Sequence, residues 1–304
     1  MQKPPRVSIG MPVYNGEKYI AQTLDSFLRQ TYTDFELIIS DNASTDSTEA
    51  ICRDYAARDP RIRYERLEKN IGLYPNFDRA FAFARGEYFK WAAHDDLCAE
   101  TFLEECVAAL DADPCIVLSY CERQEIDESG RFIAKSNEWE RVRRVDSRRV
   151  AFRFRDVILQ WPDLGEVYGV IRTRLLKLAP VMTPYGGGGE KPILAVLCLR
   201  GRFHKIPKYL FFYRCHPAQA GVLGGGGEKW HLKLSGKLNI VPIEIKIFLA
   251  YWKALRDAPL PVVDRIACYR GLADCAVGWT AWKRRLKYWL NLGQGSDEQP
   301  ETRN

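Results

Sequence analysis

Residues 7–48 constrain this chain more tightly than any other stretch. An apolar run at residues 7–11 passes into Pro12-Val13-Tyr14-Asn15-Gly16. A helical face of Ile20, Leu24, Phe27 and Leu28 follows, and a second apolar run at 35–40 stops at Asp41-Asn42. Strand, helix, strand is the unit of a parallel sheet, because parallel neighbours need a long crossover between them. Polar side chains gather where each strand stops: Tyr14, Asn15 and Glu17 after the first, Asp41, Asn42, Ser44 and Asp46 after the second. In an open parallel sheet that edge is where ligands bind.

The rhythm continues for 120 residues. Helices are expected at 46–58, at 75–84 with Phe77, Ala80, Phe81 and Ala84 inward, and at 99–111 with Phe102, Leu103, Cys106, Val107 and Leu110 inward. Strands are expected at 62–66, 88–93 and 115–120, and Asn70-Ile71-Gly72 marks a turn. The class is therefore α/β with a mostly parallel central sheet. Beyond residue 121 the pattern weakens to a hairpin around Asp127-Gly130, an Arg-rich helix or loop, strands at 168–171 and 209–214, and helices at 174–178 and 191–199. The phrase GGGGEK occurs twice, at 186–191 and 224–229, and four successive glycines predict mobile loops.

The net charge of +6 is unevenly spread: seven Arg lie between Arg141 and Arg155, and residues 228–290 hold 12 Lys or Arg against 5 Asp or Glu. A basic surface suits an anionic partner. Nine Cys without a C-x-x-C pair argue for buried thiols in a reducing compartment rather than a disulfide framework. The N-terminus enters the first strand without a signal-like apolar stretch, and no run approaches 18 apolar residues. The expected location is therefore cytoplasmic.

The phrase PVYNGEKYIAQTLDSFLRQTYTDFELIISDNASTDST, with its P-V-Y-N turn and D-N-x-S-x-D block, resembles the opening of the family 2 glycosyltransferases. The resemblance covers about residues 5–220. It implies a GT-A type, Rossmann-like catalytic domain and an inverting transfer from a nucleotide diphosphate sugar, a UDP-sugar above all. The acceptor would be a saccharide or lipid-linked saccharide in cell-surface polysaccharide or O-antigen assembly. Pro12, Tyr14, Asn15, Glu17, Asp41, Asn42, Ser44, Asp46, Asn70 and Asp95 fall at its nucleotide-binding positions. Read without the resemblance, Asn15, Asp41 and Ser44 fit turn and cap roles equally well.

Asp95 and Asp96 match the end of the family's acidic motif, which holds a divalent cation, Mn2+ or Mg2+. Ala93 stands where its first acidic residue would be, which leaves Asp96 as the preferred ligand and Asp95 as a ribose or metal partner. The pair also fits an N-cap for the helix that follows. Asn76-Phe77-Asp78 replaces the Ala-Arg-Asn common in the family, so no donor arginine is carried over. Glu190, 11 residues before Gly201, falls where the family has its general base, and a carboxylate there also suits a helix N-terminus. Arg214 and His216, in Arg-Cys-His-Pro-x-Gln, resemble the phrase that closes the catalytic domain and are expected at the diphosphate, His216 also as a metal ligand.

The expected division is a catalytic domain at 1–222, with a nucleotide half to about 120 and an acceptor half after it. A helical, basic, Trp-rich extension follows at 223–292 and a disordered tail at 293–304. Trp230, Trp252, Trp279, Trp282 and Trp289 with Lys283, Arg284, Arg285 and Lys287 suit a peripheral contact on the inner face of an anionic membrane, or helices packed on the catalytic domain. The Arg-rich stretch at 141–155 would hold a lipid diphosphate or form a solvated face. No nucleic-acid partner is expected. The rival reading is a non-catalytic module that binds a nucleotide sugar or saccharide.

Overall fold

The computed structural model describes residues 3–133, 144–159, 164–217 and 241–278. In chain order it contains β1 (Val7–Val13), α1 (Ile20–Leu28), β2 (Phe35–Asp41), α2 (Thr48–Arg58), β3 (Ile62–Arg66), α3 (Leu73–Ala82), β4 (Tyr88–Trp91) and β5 (Leu97–Cys98). Next come α4 (Phe102–Ala112), β6 (Ile116–Ile126), α5 (Val150–Leu159), α6 (Leu164–Val167), β7 (Val170–Arg172) and α7 (Thr173–Leu176). A 3-10 segment (Thr183–Gly188), α8 (Glu190–Cys198), β8 (Arg202–Arg214), α9 (Ile243–Arg256) and α10 (Val262–Gly278) complete it.

One eight-stranded sheet runs β3-β2-β1-β4-β7-β6-β8-β5. The pairs β1/β2, β1/β4, β2/β3 and β6/β8 are parallel, whereas β7 runs antiparallel to β4 and β6, and β5 to β8. Every residue of β1 and β2 is buried, as expected of parallel strands covered on both faces. On one face α1 and α4 bring Ile20, Leu24, Phe27, Phe102, Leu103, Cys106 and Leu110 to the sheet; on the other, α5 and α8 pack with Phe89, Trp91 and Leu118. All nine Cys are free and seven are buried.

Several expectations are corrected. The last strand starts at Arg202, not near 209, because residues 202–206 continue β6's edge before register shifts let the strand bend. Gly201 is required at its start: a Cβ there would lie 2.1 Å from Val117 Cγ1. β5 is too short to leave a periodic signal. The first glycine tetrad is not an open loop: Gly186 turns the chain with φ +49, and a Cβ on Gly188 would lie 2.9 Å from Ile247 Cδ1 of α9. The second tetrad lies outside the described residues.

The helices beyond residue 241 do not stand apart. Ile247, Tyr251 and Leu255 of α9 and Cys268, Leu272 and Cys275 of α10 share one core with α5 and α8. The Arg-rich stretch is largely consumed internally, with Arg144 on Asp156, Arg155 on Asp274, and buried Arg153 donating to the carbonyls of Cys198 and Ser147. Arg148 and Arg149 are exposed, and residues 134–143 lie outside the described residues.

Candidate active site

The C-terminal ends of β1 and β2 are stitched to each other. Asp41 is fully buried; its Oδ1 accepts from the Ser44 amide at 2.9 Å and hydroxyl at 2.6 Å, and its Oδ2 accepts from Tyr64 OH at 2.5 Å. Burial first, and then this contact with Asp41, raises the Tyr64 hydroxyl well above its usual range. Arg66 stands 3.8 Å from the same carboxylate. Asn42 is a staple: its Nδ2 donates to Asn70 Oδ1 at 3.0 Å and Gly72 O at 3.1 Å, and its Oδ1 accepts from the Ile71 amide at 2.8 Å.

The turn after β1 leans on the same loop. Asn15 sits in the left-handed region at φ +52, which asparagine tolerates, and its Oδ1 accepts from the Thr45 amide at 2.8 Å. Glu17 and Asp46 exchange backbone partners across the gap: Glu17 N donates to Asp46 Oδ2 at 3.1 Å and Ser47 N to Glu17 Oε2 at 2.9 Å. Burial pushes the Asp46 carboxyl up, but hydrogen bonds from Thr48 and from the Glu17 amide outweigh it and leave the group below its ordinary value. Pro12 is buried within β1, whereas Tyr14, Asn15 and Glu17 are exposed, Tyr14 with 45% of its surface accessible. The cradle therefore joins exposed aromatic and polar side chains to a buried, hydrogen-bonded floor.

The acidic pair lies beyond β4. Asp95 Oδ2 is 2.9 Å from His216 Nε2, and the His216 ring packs on Tyr19 with centroids 4.8 Å apart. Asp96 is more deeply buried: Oδ1 accepts from the Arg214 amide at 2.9 Å, whereas Oδ2 is buried with no hydrogen-bond partner among the described residues. Burial, and then the neighbouring Asp95 charge, holds the Asp96 carboxyl well above its ordinary value.

Arg214 requires a correction. Its side chain is entirely buried, with Nε on Asp95 O at 2.8 Å, Nη1 on Glu128 O at 3.0 Å and Nη2 on Gln22 Oε1 at 2.9 Å, over the Tyr19 ring. A guanidinium so committed does not face a diphosphate; it ties the Asp127–Gly130 hairpin and α1 to the acidic pair.

Glu190 opens α8, where the positive helix end favours an anion, yet burial raises its carboxyl above the ordinary value. Burial first, and then the charges of Asp96, Asp95, Tyr213 and Glu190, raises the Tyr168 hydroxyl well above its usual range. The Tyr168 carbonyl also accepts from buried Lys90 Nζ at 2.5 Å. The strand alternation of β3 points to Tyr64, whereas the strand expected at 168–171 starts at Val170 and leaves Tyr168 just outside it.

The residues present fit a divalent cation that shares its ligands with a substrate. Asp95 and His216 offer an adjacent oxygen and nitrogen, and Asp96, next in the chain, keeps one buried oxygen with no hydrogen-bond partner among the described residues. Among the described residues no group of three His, Cys, Asp or Glu side chains could by itself hold a metal ion. Magnesium-like sites are commonly built so, from one or two carboxylates with phosphate and water filling the rest.

Residues 8–164 match the family described as Glycosyl transferase family 2. Chondroitin synthase of Escherichia coli is 33% identical over 139 residues, 46% of this chain and 20% of that protein, so the chain spans a fifth of that relative's length. Among solved structures, Staphylococcus aureus TarS 1-349 in complex with UDP-GlcNAc superposes with TM-score 0.62 at 20% identity, covering 88% of this chain and 71% of that one. The mannosyltransferase PcManGT from Pyrobaculum calidifontis, in complex with GDP-Man and Mn2+, superposes with TM-score 0.52 at 18% identity, covering 97% and 82%. These likenesses establish the GT-A fold. Because the sequence match takes in just over half of the chain, including the strand ends from Pro12 to Asp96, the chain belongs to glycosyl transferase family 2.

Proposed function

We propose that the chain is an inverting glycosyltransferase that moves a sugar from a nucleotide diphosphate sugar, a UDP-sugar by preference, to a saccharide or lipid-linked acceptor in cell-surface polysaccharide assembly. The observation that carries this reading is the pair of strand-end arrangements, the hydrogen-bonded Asp41 cradle after β1 and β2 and the Asp95-His216 contact after β4 and β8. TarS, bound to UDP-GlcNAc, and PcManGT, bound to GDP-Man and Mn2+, support a nucleotide-sugar donor on this fold. The chondroitin synthase relative supports polysaccharide synthesis.

In this reading the nucleotide base packs on Tyr14 above the Asp41 floor, and Glu17 faces the ribose. Glu190 accepts the proton of the acceptor hydroxyl, whose oxygen attacks the anomeric carbon. The bond from that carbon to the diphosphate oxygen breaks on the opposite side, and one displacement inverts the configuration. Asp96, with Asp95 and His216, would hold a divalent cation, which when bound would supply positive charge to the leaving diphosphate. A carboxyl raised above its ordinary value is a stronger base once ionised, which suits Glu190.

A peripheral contact with an anionic membrane is supported by exposed apolar side chains on the last helices, Val262 and Val263 on α10 and Leu249 and Trp252 on α9. The basic run Lys283 to Lys287 that adds to it lies outside the described residues. Among the described residues no helix is long and apolar enough to cross a membrane.

Calorimetric titration with UDP, GDP, dTDP and CMP, with and without Mn2+, tests the reading on the wild type and on Asp96→Ala. One nucleotide should bind tightly only with metal and lose affinity in the variant. Absence of binding to all four would remove the donor site.

A further inference from the structure

Asp78 lies on α3, the helix that starts directly after the Asn70-Gly72 turn, and its carboxylate leaves that helix for a loop more than 100 residues away. It accepts from the Met182 amide at 2.7 Å, from the Thr183 amide at 3.0 Å and from the Thr183 hydroxyl. It thus caps the 3-10 segment Thr183–Gly188 from another element, satisfying amides that this segment cannot pair itself. Met182 in turn forms the seat of Gly189: a Cβ on Gly189 would lie 2.9 Å from Met182 Cβ and 3.0 Å from its carbonyl oxygen. The next residue is Glu190.

The same helix also grips the strand that ends at Asp41. Tyr74, one turn before Asp78 on the same face, has its hydroxyl pushed up to about 12, by burial first and then by the charge of Glu190. Asn76 and Arg79 grip the donor strand: Asn76 Nδ2 donates to Ser40 O at 2.7 Å and Arg79 Nη1 to Ser40 Oγ at 2.6 Å, one residue before Asp41.

We propose that Asp78 is a positioning residue for Glu190, fixing the loop that carries the carboxylate to the helix that is itself bolted to the nucleotide strand. The inference rests on the assignment of Glu190 as the base. The chemistry of the position explains an acidic residue there: a carboxylate accepts from two amides and a hydroxyl at once, which an amide side chain with a single oxygen does not.

The test compares wild type, Asp78→Ala, Asp78→Asn, Thr183→Val and Glu190→Gln. Release of nucleoside diphosphate from UDP-, GDP- and dTDP-sugars with Mn2+ is measured alongside nucleoside diphosphate affinity by calorimetry. Misplacing a reacting group by about 1 Å costs on the order of 100-fold. Asp78→Ala should therefore lower kcat by roughly 10- to 100-fold with nucleotide affinity within about twofold of wild type. Asp78→Asn should recover part of the loss, and Thr183→Val should show a smaller loss of the same kind. If Asp78→Ala does not fold, the latter two variants decide by the same split. Unchanged kcat, or affinity falling in step with kcat, overturns the inference. Full activity in Glu190→Gln removes the base assignment itself, and a wild type that turns over no donor removes the functional reading with it.

Discussion

His216 Nε2 stands 2.9 Å from Asp95 Oδ2 although 121 residues separate the two, and the imidazole is held there by the ring of Tyr19. This contact joins the end of β8 to the end of β4 and makes one site from two halves of the chain. His216→Ala should weaken metal-dependent nucleotide binding by roughly 10- to 100-fold, the range expected when a metal ligand or its support is lost. Calorimetry with and without Mn2+ checks it, and equal affinity under both conditions would separate His216 from the metal.

Glu190→Gln removes the proton acceptor and keeps the shape of the side chain. Loss of a general base costs roughly 10²- to 10⁴-fold in kcat, with donor affinity retained. Initial rates and calorimetry on the same preparation measure both.

The pH profile carries the same assignment. Burial raises the Glu190 carboxyl above its ordinary value, and the base works only when ionised. Activity should be full above the raised value and fall as pH drops through it, so the acid limb of kcat/KM should lie above the usual carboxylate range. Glu190→Gln should abolish that limb; a limb that persists would assign it to another group.

Asp41→Asn tests the cradle floor. The substitution leaves one oxygen for the Ser44 and Tyr64 donors and places an amide nitrogen among them. A loss of about 1–3 kcal/mol in stability is expected from the mismatched buried groups, together with weaker nucleotide binding. Urea unfolding gives the first quantity and calorimetry the second.

Replacing Val262 and Val263 with Asp in one double variant tests the membrane contact. The two side chains are 73% and 78% exposed, so folding should be nearly unaffected. Co-sedimentation with phosphatidylglycerol vesicles should fall while nucleotide binding stays unchanged. Equal sedimentation of both proteins would exclude this surface.

Much of the molecule was legible from periodicity. The inward face of α4 is the one its spacing predicts, and the polar ends of β1 and β2 meet because parallel strands bring their C-terminal ends to one edge. Local patterns carry such elements because each strand or helix shows its buried face in its own residues. Three features have no such record. β5 is two residues long, Tyr168 stands just outside the strand expected to start there, and Arg214 looks in sequence like a phosphate ligand but is buried as a staple.

By itself the sequence determined the α/β class, the order of β1 to β4, β6 and the four helices between them, and the strand-end residues of the cradle. Only the tertiary structure decided which carboxylates share a site. Asp95 meets His216, and Asp78 holds the turn before Glu190, through pairings 104 to 121 residues apart along the chain. Contacts of that reach are set by how β4, β7 and β8 take their places in one sheet, and no local propensity encodes them.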